Sequence, residues 1–122
     1  MIKGIGLDLV EVDRIKRTAA RQPRFYKRIL TVKEQEKYLR LSGRRQDEYL
    51  SGRFAAKEAY AKACGLGIGT FLSFQDLEIF NDSAGKPAII CKTSNEEDKL
   101  HLSITHTKEY AAAQVLIESS SS

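Results

Sequence analysis

The chain has 122 residues, 42% of them apolar and 30% charged, with a net charge of +4. That is the size and balance of one globular domain with a modest core, and it argues against a disordered chain or a chain of membrane spans. The positive excess is too small to require nucleic acid as a partner, so neither nucleic acid nor membrane is expected. Cys64 and Cys91 have no metal-ligand spacing and predict free, buried thiols in a reducing compartment. Met1 leads directly into a strand pattern without a leader-like apolar run, which predicts a cytoplasmic location. Residues 1–118 are expected to form the domain, and Ser119 to Ser122 a frayed tail.

Ile2 to Val12 alternates with period two. Lys3, Ile5, Leu7 and Leu9 point one way; Ile2, Gly4, Gly6, Asp8 and Val10 point the other. Asp8 is therefore a carboxylate on a glycine-lined face, where a backbone or a ligand can come close. It can equally end the strand or cap the next helix. Asp13 to Arg28 reads as helical with a break at Pro23, and it concentrates Arg14, Arg21, Arg24 and Arg28 with Lys16, Arg17 and Lys27. Such a run is a solvated face, a docking surface for an acidic partner, or, with little aromatic interleaving, a nucleic-acid contact. Thr31 with Glu34 is a capping-box signature for a helix to about Leu41.

Gly43 or Arg44 to Cys64 is expected to be one long helix, ended by the glycine-rich loop Gly65-Leu66-Gly67-Ile68-Gly69. Ser51, Ala55, Glu58, Lys62 and Gly65 share one face; Gly52, Ala56, Ala59 and Ala63 form a small-residue stripe suited to close packing. Lys57 lies about 100° from the Glu58 and Lys62 face, which makes it a mild comparison for substitutions at Lys62. Glu58 and Lys62 read either as a surface i,i+4 pair or as part of a phosphate site. Phe74 to Phe80 alternates like a strand, Asn81 to Pro87 is a hairpin loop, and Ala88 to Cys91 is the return strand. Lys92 to Asp98 is expected to be a loop. Leu100 to His106 is a strand with Leu100, Leu102, Ile104 and His106 on one face. Tyr110 to Ile117 is nearly all apolar, as in a strand buried on both faces. The fold class is α+β: an N-terminal strand, a helical block with one long helix, then antiparallel hairpins.

If the faces bearing Asp8 and Glu58 meet, they form a hard oxygen site of the kind Mg²⁺ occupies with waters and substrate phosphates. Lys62, one turn past Glu58, would point at the same place. His106 ends a strand beside a turn, where a lone histidine is more often structural. From the residues alone this is metal-dependent phosphate chemistry or, in the competing reading, a basic adaptor for acidic proteins or RNA with no chemistry.

Gly4-Ile5-Gly6-Leu7-Asp8-Leu9-Val10-Glu11-Val12-Asp13-Arg14-Ile15 resembles the first motif of the 4′-phosphopantetheinyl transferases, and Gly52-Arg53-Phe54-Ala55-Ala56-Lys57-Glu58-Ala59-Tyr60-Ala61-Lys62-Ala63 the second. Ser103-Ile104-Thr105-His106-Thr107 resembles a third segment. Tyr60 and Ala61 stand where the family most often has Phe and Ser. Length and motif order resemble the short, holo-acyl-carrier-protein synthase branch. The resemblance implies transfer of 4′-phosphopantetheine from coenzyme A to a serine of apo acyl carrier protein, with adenosine 3′,5′-bisphosphate as the other product. It implies that Asp8 and Glu58 hold Mg²⁺ and that Lys62 contacts the pyrophosphate. It further implies that Gly65, Gly67, Ile68, Gly85, Pro87, His106 and Thr107 contact coenzyme A. Arg14, Arg21, Arg24, Phe25 and Arg28 would dock the carrier protein. A homotrimer with sites between subunits is also implied.

Overall fold

The computed structural model describes residues 1–94 and 97–120. Its elements are β1 (Ile2–Glu11), α1 (Val12–Arg21), α2 (Phe25–Ile29), α3 (Val32–Arg40), α4 (Gly43–Cys64), a 3-10 turn (Phe74–Asp76), β2 (Leu77–Asn81), β3 (Pro87–Cys91), β4 (Asp98–His106) and β5 (Tyr110–Ser119). This is the α+β order expected. The three strands β1, β5 and β4 make one antiparallel sheet in that order, and β2 pairs with β3 in a separate hairpin. Asp8 stands opposite Ala113, and Ala113 opposite Ile104, so one row crosses the sheet from β1 to β4.

Helix α4 lies on the inner face of this sheet, and the small residues explain how closely. A Cβ on Gly4 would collide with the carbonyl of Ala63, and one on Gly6 with the carbonyl of Ala59. The glycines of β1 thus let strand and helix backbones touch, and alanine at Gly6 would push the helix off the sheet. Ala55, Ala56, Ala59 and Tyr60 pack there with Leu102, Val115 and Ile117. A second core joins Ile15, Phe25, Ile29, Leu30, Tyr38 and Leu50 beneath the helical block. Truncating a fully buried leucine such as Leu50 to alanine is expected to cost about 2–5 kcal/mol.

The helix ends follow their local chemistry. Thr31 and Glu34 form the reciprocal capping box at the start of α3. Gly65, at φ +74°, ends α4 in the left-handed conformation, and its N–H returns to the carbonyls of Ala61 and Lys62.

The structure departs from the sequence reading in four places. Phe74 to Asp76 is a 3-10 turn rather than strand, and β2 begins at Leu77. A local box decides this: Ser73 Oγ accepts from Gln75 N at 3.0 Å, and Asp76 Oδ2 accepts from Ser73 N at 2.9 Å. β4 begins at Asp98, two residues before Leu100; Asn95 and Glu96, within the expected loop, lie outside the described residues. Within the single chain β5 is buried on one face, through Ala111, Ala113, Val115 and Ile117, while Gln114 is exposed. The strand also continues through Ser119, whose N–H bonds the Met1 carbonyl at 2.8 Å, so the expected tail does not start there; Ser121 and Ser122 lie outside the described residues. Cys64 and Cys91 are free but only half-buried.

Candidate active site

β1 and α4 bring Asp8 and Lys62 together. Lys62 Nζ donates to Asp8 Oδ1 and to the Leu7 carbonyl, each at 3.0 Å. Lys62 therefore bridges two elements instead of closing a surface pair with Glu58. Asp8 Oδ2 is buried and has no hydrogen-bond partner. Glu58 sits one turn before Lys62 on α4. Burial pushes its carboxyl up from the ordinary value, the charge of Asp8 pushes it further, and Lys62 offsets part of this. The two carboxylates thus repel each other, and one buried oxygen is left without a hydrogen.

That donor set fits a hard divalent cation. Among the described residues no group of three or more His, Cys, Asp or Glu side chains could hold a metal. Two carboxylates are nonetheless what Mg²⁺ usually takes from protein, since water and phosphate fill its other positions. The orphaned Asp8 Oδ2 is the atom whose burial such an ion would compensate.

The preceding residue faces the other way. Lys57 is fully buried, with Nζ 2.6 Å from Glu34 Oε1. Burial lowers its pKa, and Glu34 counters that. Lys57 belongs to the interior. Tyr60 is buried as well, and its hydroxyl is pushed up by burial and by Cys91 beside it. The tyrosine thus finds polar neighbours inside the core.

The remaining predicted residues fall at three other places. Gly65, Gly67 and Ile68 follow α4; Ile68 forms an isolated bridge with Leu72, and Gly69 N bonds the Leu72 carbonyl at 2.7 Å. Gly85 and Pro87 lie at the tip of the β2–β3 hairpin. His106 ends β4, and the Thr107 hydroxyl accepts from the N–H groups of Glu109 and Tyr110, so it builds the turn.

His106 opens onto a cleft of about 390 Å³ lined also by Lys37, Arg45, Glu48, Gly52 and Arg53. Arg53 Nε is buried there without a partner, and the guanidinium carbon stacks 4.2 Å from the centre of the Tyr49 ring. Sequence reasoning missed Lys37, Arg45 and Arg53 as site candidates. Arg53 lay inside the second motif and could have been singled out as a cation within a run of small residues. Asp8, Glu58 and Lys62 do not line this cleft. Within one chain the two polar sites stand at opposite edges of the three-stranded sheet, one beside β1 and one beside β4.

Of the docking residues, Arg14, Arg21, Arg24 and Arg28 are exposed on α1, α2 and their junction. Phe25, named with them for docking, is only 7% exposed. Its ring packs 6.2 Å from that of Phe54. It also lines a cavity with Arg14, Ile15 and Tyr110.

The sequence profile of the 4′-phosphopantetheinyl transferase superfamily matches residues 4–115. The chain belongs to that superfamily. It is 60% identical to the holo-[acyl-carrier-protein] synthase of Bacillus pumilus (strain SAFR-032) over 122 residues, covering all of both chains. The Bacillus subtilis (strain 168) synthase is also 60% identical over all of both chains. A crystal structure of the Bacillus anthracis str. Ames holo-(acyl-carrier-protein) synthase in complex with CoA (3′,5′-ADP) superposes with a TM-score of 0.89 at 49% identity, covering 98% of each chain. The Helicobacter pylori synthase in complex with coenzyme A gives a TM-score of 0.82 at 30% identity, covering 93% of this chain and 99% of that one.

Proposed function

We propose that the chain transfers the 4′-phosphopantetheine group of coenzyme A to a serine hydroxyl of apo acyl carrier protein. The observation that carries this reading is the Asp8, Glu58 and Lys62 cluster with its orphaned Asp8 oxygen, in a chain that belongs to this superfamily. The relatives' names and their coenzyme complexes support the substrates.

The serine oxygen attacks the β-phosphorus of the coenzyme pyrophosphate, the bond from that phosphorus to the bridging oxygen breaks, and adenosine 3′,5′-bisphosphate leaves. Glu58 takes the serine proton in this reading, directly or through a water that it orients. Lys62 presents an ammonium to the pyrophosphate, where negative charge develops on the leaving oxygen. Mg²⁺, held by Asp8 and Glu58, would neutralise charge on the pyrophosphate. Gly65, Gly67, Ile68, Gly85, Pro87 and Thr107 are the remaining coenzyme-contact candidates. Arg14, Arg21, Arg24 and Arg28 give the carrier protein an exposed cationic docking face, with Phe25 as the packed floor of the adjoining cavity. The free thiols suit a cytoplasmic setting.

The working unit in this reading is a trimer. On the outer face of the sheet Ile5, Leu7 and Leu9 are 58%, 62% and 62% exposed. Leu116, Gln114 and Ala112 stand opposite them on β5. Among the described residues nothing covers this apolar row, and a closed ring of copies would cover it. A ring would also bring the His106 cleft of one subunit toward the Asp8 and Glu58 cluster of the next. Mixing inactive Asp8→Asn and His106→Ala chains should then restore activity in mixed trimers. A monodisperse active monomer by light scattering would defeat the trimer.

Incubation with apo acyl carrier protein, coenzyme A and Mg²⁺ tests the reaction directly. Mass spectrometry should show the phosphopantetheine added to the carrier. A non-catalytic adaptor would bind the carrier and leave its mass unchanged.

A further inference from the structure

We propose that Glu48 is a positioning residue, holding His106 so that Nε2 faces the cationic cleft. This rests on reading that cleft as part of the coenzyme A site. The geometry begins at His106 Nδ1, which lies 3.2 Å from Glu48 Oε2. A carboxylate beside Nδ1 favours the ring forms that carry a hydrogen there, and Nε2 is the ring nitrogen that Glu48 does not engage. Glu48 is in turn engaged by Arg44, whose Nε lies 3.6 Å from the same oxygen, and Arg44 reaches Asp13 at 3.5 Å.

The charge pattern of the cleft lets this role be told apart from a plain ion pair with Arg44. Among the described residues Glu48 is the one carboxylate lining a cleft that also holds Lys37, Arg45, Arg53 and His106. For a phosphate ligand an isolated carboxylate at that place is repulsive, and its removal should tighten binding. If the carboxylate acts through His106, its removal should loosen binding, because the imidazole loses the acceptor that fixes its orientation. The two accounts predict opposite signs for one substitution.

The test is coenzyme A affinity by calorimetry for wild type, Glu48→Ala, Glu48→Gln, His106→Ala and the double variant Glu48→Ala/His106→Ala. Loss of one partly exposed orienting ion pair should weaken binding roughly 2- to 5-fold in Glu48→Ala. The same substitution made on top of His106→Ala should cause no further loss. Glu48→Gln keeps an acceptor beside Nδ1 without the charge and should lose less than Glu48→Ala. Tighter binding in Glu48→Ala, or an equal loss in both backgrounds, would overturn the proposal. The histidine ring nitrogens of the ligand-free protein give an independent readout by ¹⁵N NMR. His106 should be protonated at Nδ1 in wild type and lose that preference in Glu48→Ala; an unchanged spectrum would also overturn the proposal. If His106→Ala leaves coenzyme A affinity intact, the coenzyme reading of the cleft fails, and the NMR result still decides what Glu48 does.

Discussion

Helix α4 sends Lys57 and Lys62 into two ion pairs that differ in exposure, partners and spare capacity. Lys57 and Glu34 are 0% and 1% exposed. Lys57 Nζ also donates to the carbonyls of Ile29 at 2.7 Å and Phe74 at 3.2 Å. Glu34 accepts from the N–H groups of Thr31 and Ile79. The pair thereby ties α2, α3, the 3-10 turn and β2 to α4, and both carboxylate oxygens are engaged. The Lys62 and Asp8 side chains are 56% and 14% exposed, and Asp8 Oδ2 remains unpaired. A pair whose donors and acceptors are all matched can only hold the fold together. A pair with an idle buried oxygen still has something to offer a ligand.

The largest effect should come from breaking the saturated pair. Lys57→Met leaves Glu34 buried without its cation, and Glu34→Gln does the converse to Lys57. Each should cost about 3–5 kcal/mol in denaturant unfolding, a large share of an ordinary domain's stability. The double variant should recover part of the loss, because no lone buried charge remains. A single-variant cost below about 1 kcal/mol would contradict the structural role assigned to the pair. Lys57 therefore cannot serve as the mild comparison for Lys62 that its helical phase predicts.

The open pair should respond in activity instead. Asp8→Asn should lower turnover by roughly 10²- to 10³-fold, the usual range for removing one group that stabilises developing charge. Its unfolding midpoint should stay near wild type, and Mg²⁺ should no longer protect the fold. Near-normal turnover at low Mg²⁺ would exclude Asp8 as a ligand. A smaller effect is expected at the docking face. Arg14→Glu or Arg24→Glu should raise KM for the carrier severalfold while coenzyme A affinity holds, and the wild-type KM should rise with salt. A salt-independent KM would sink the docking assignment.

The same contrast marks what could be read from the sequence. Local signals were legible: the Thr31 and Glu34 box, the break at Pro23, the Gly65 stop, and the β1 glycines that the Ala59 and Ala63 backbone presses against. Partnerships across the chain were not. Glu34 and Lys57 sit in different helices, and no periodicity marks the one lysine of α4 that turns inward. Glu48 and His106 meet only because β4 is laid against the start of α4. The apolar outer face of β5 read as buried, and among the described residues of the single chain nothing lies there, so what covers it is a question for a partner copy. Asp8 and Glu58 stood out as isolated carboxylates on small-residue faces, and the motif resemblance placed them in one site. The idle oxygen of Asp8 could be seen only in the folded structure.

The smallest effect gives the sharpest test of whether the open cluster is held in reserve for a ligand. In the folded chain the Glu58 carboxyl titrates above its ordinary value, through burial first and Asp8 second, with Lys62 opposing. A raised carboxyl pKa means that the folded state favours the protonated form. The resulting stability is fully present below the unfolded value, about 4.3 for glutamate, and is lost as pH rises through the raised folded value. At neutral pH and without metal, ionised Glu58 is therefore a net cost to the fold. Glu58→Gln keeps the shape and removes the charge, so it should raise Tm slightly, on the order of 1 °C given the solvent screening. The gain should shrink as the pH is lowered toward about 4, where wild-type Glu58 takes up its proton. Adding Mg²⁺ should raise the wild-type Tm and leave Glu58→Gln nearly unmoved, reversing their order. If Glu58→Gln instead melts below wild type at neutral pH without metal, the chain itself supports the glutamate charge. The cluster would then be a structural ion pair of the same kind as Lys57 and Glu34.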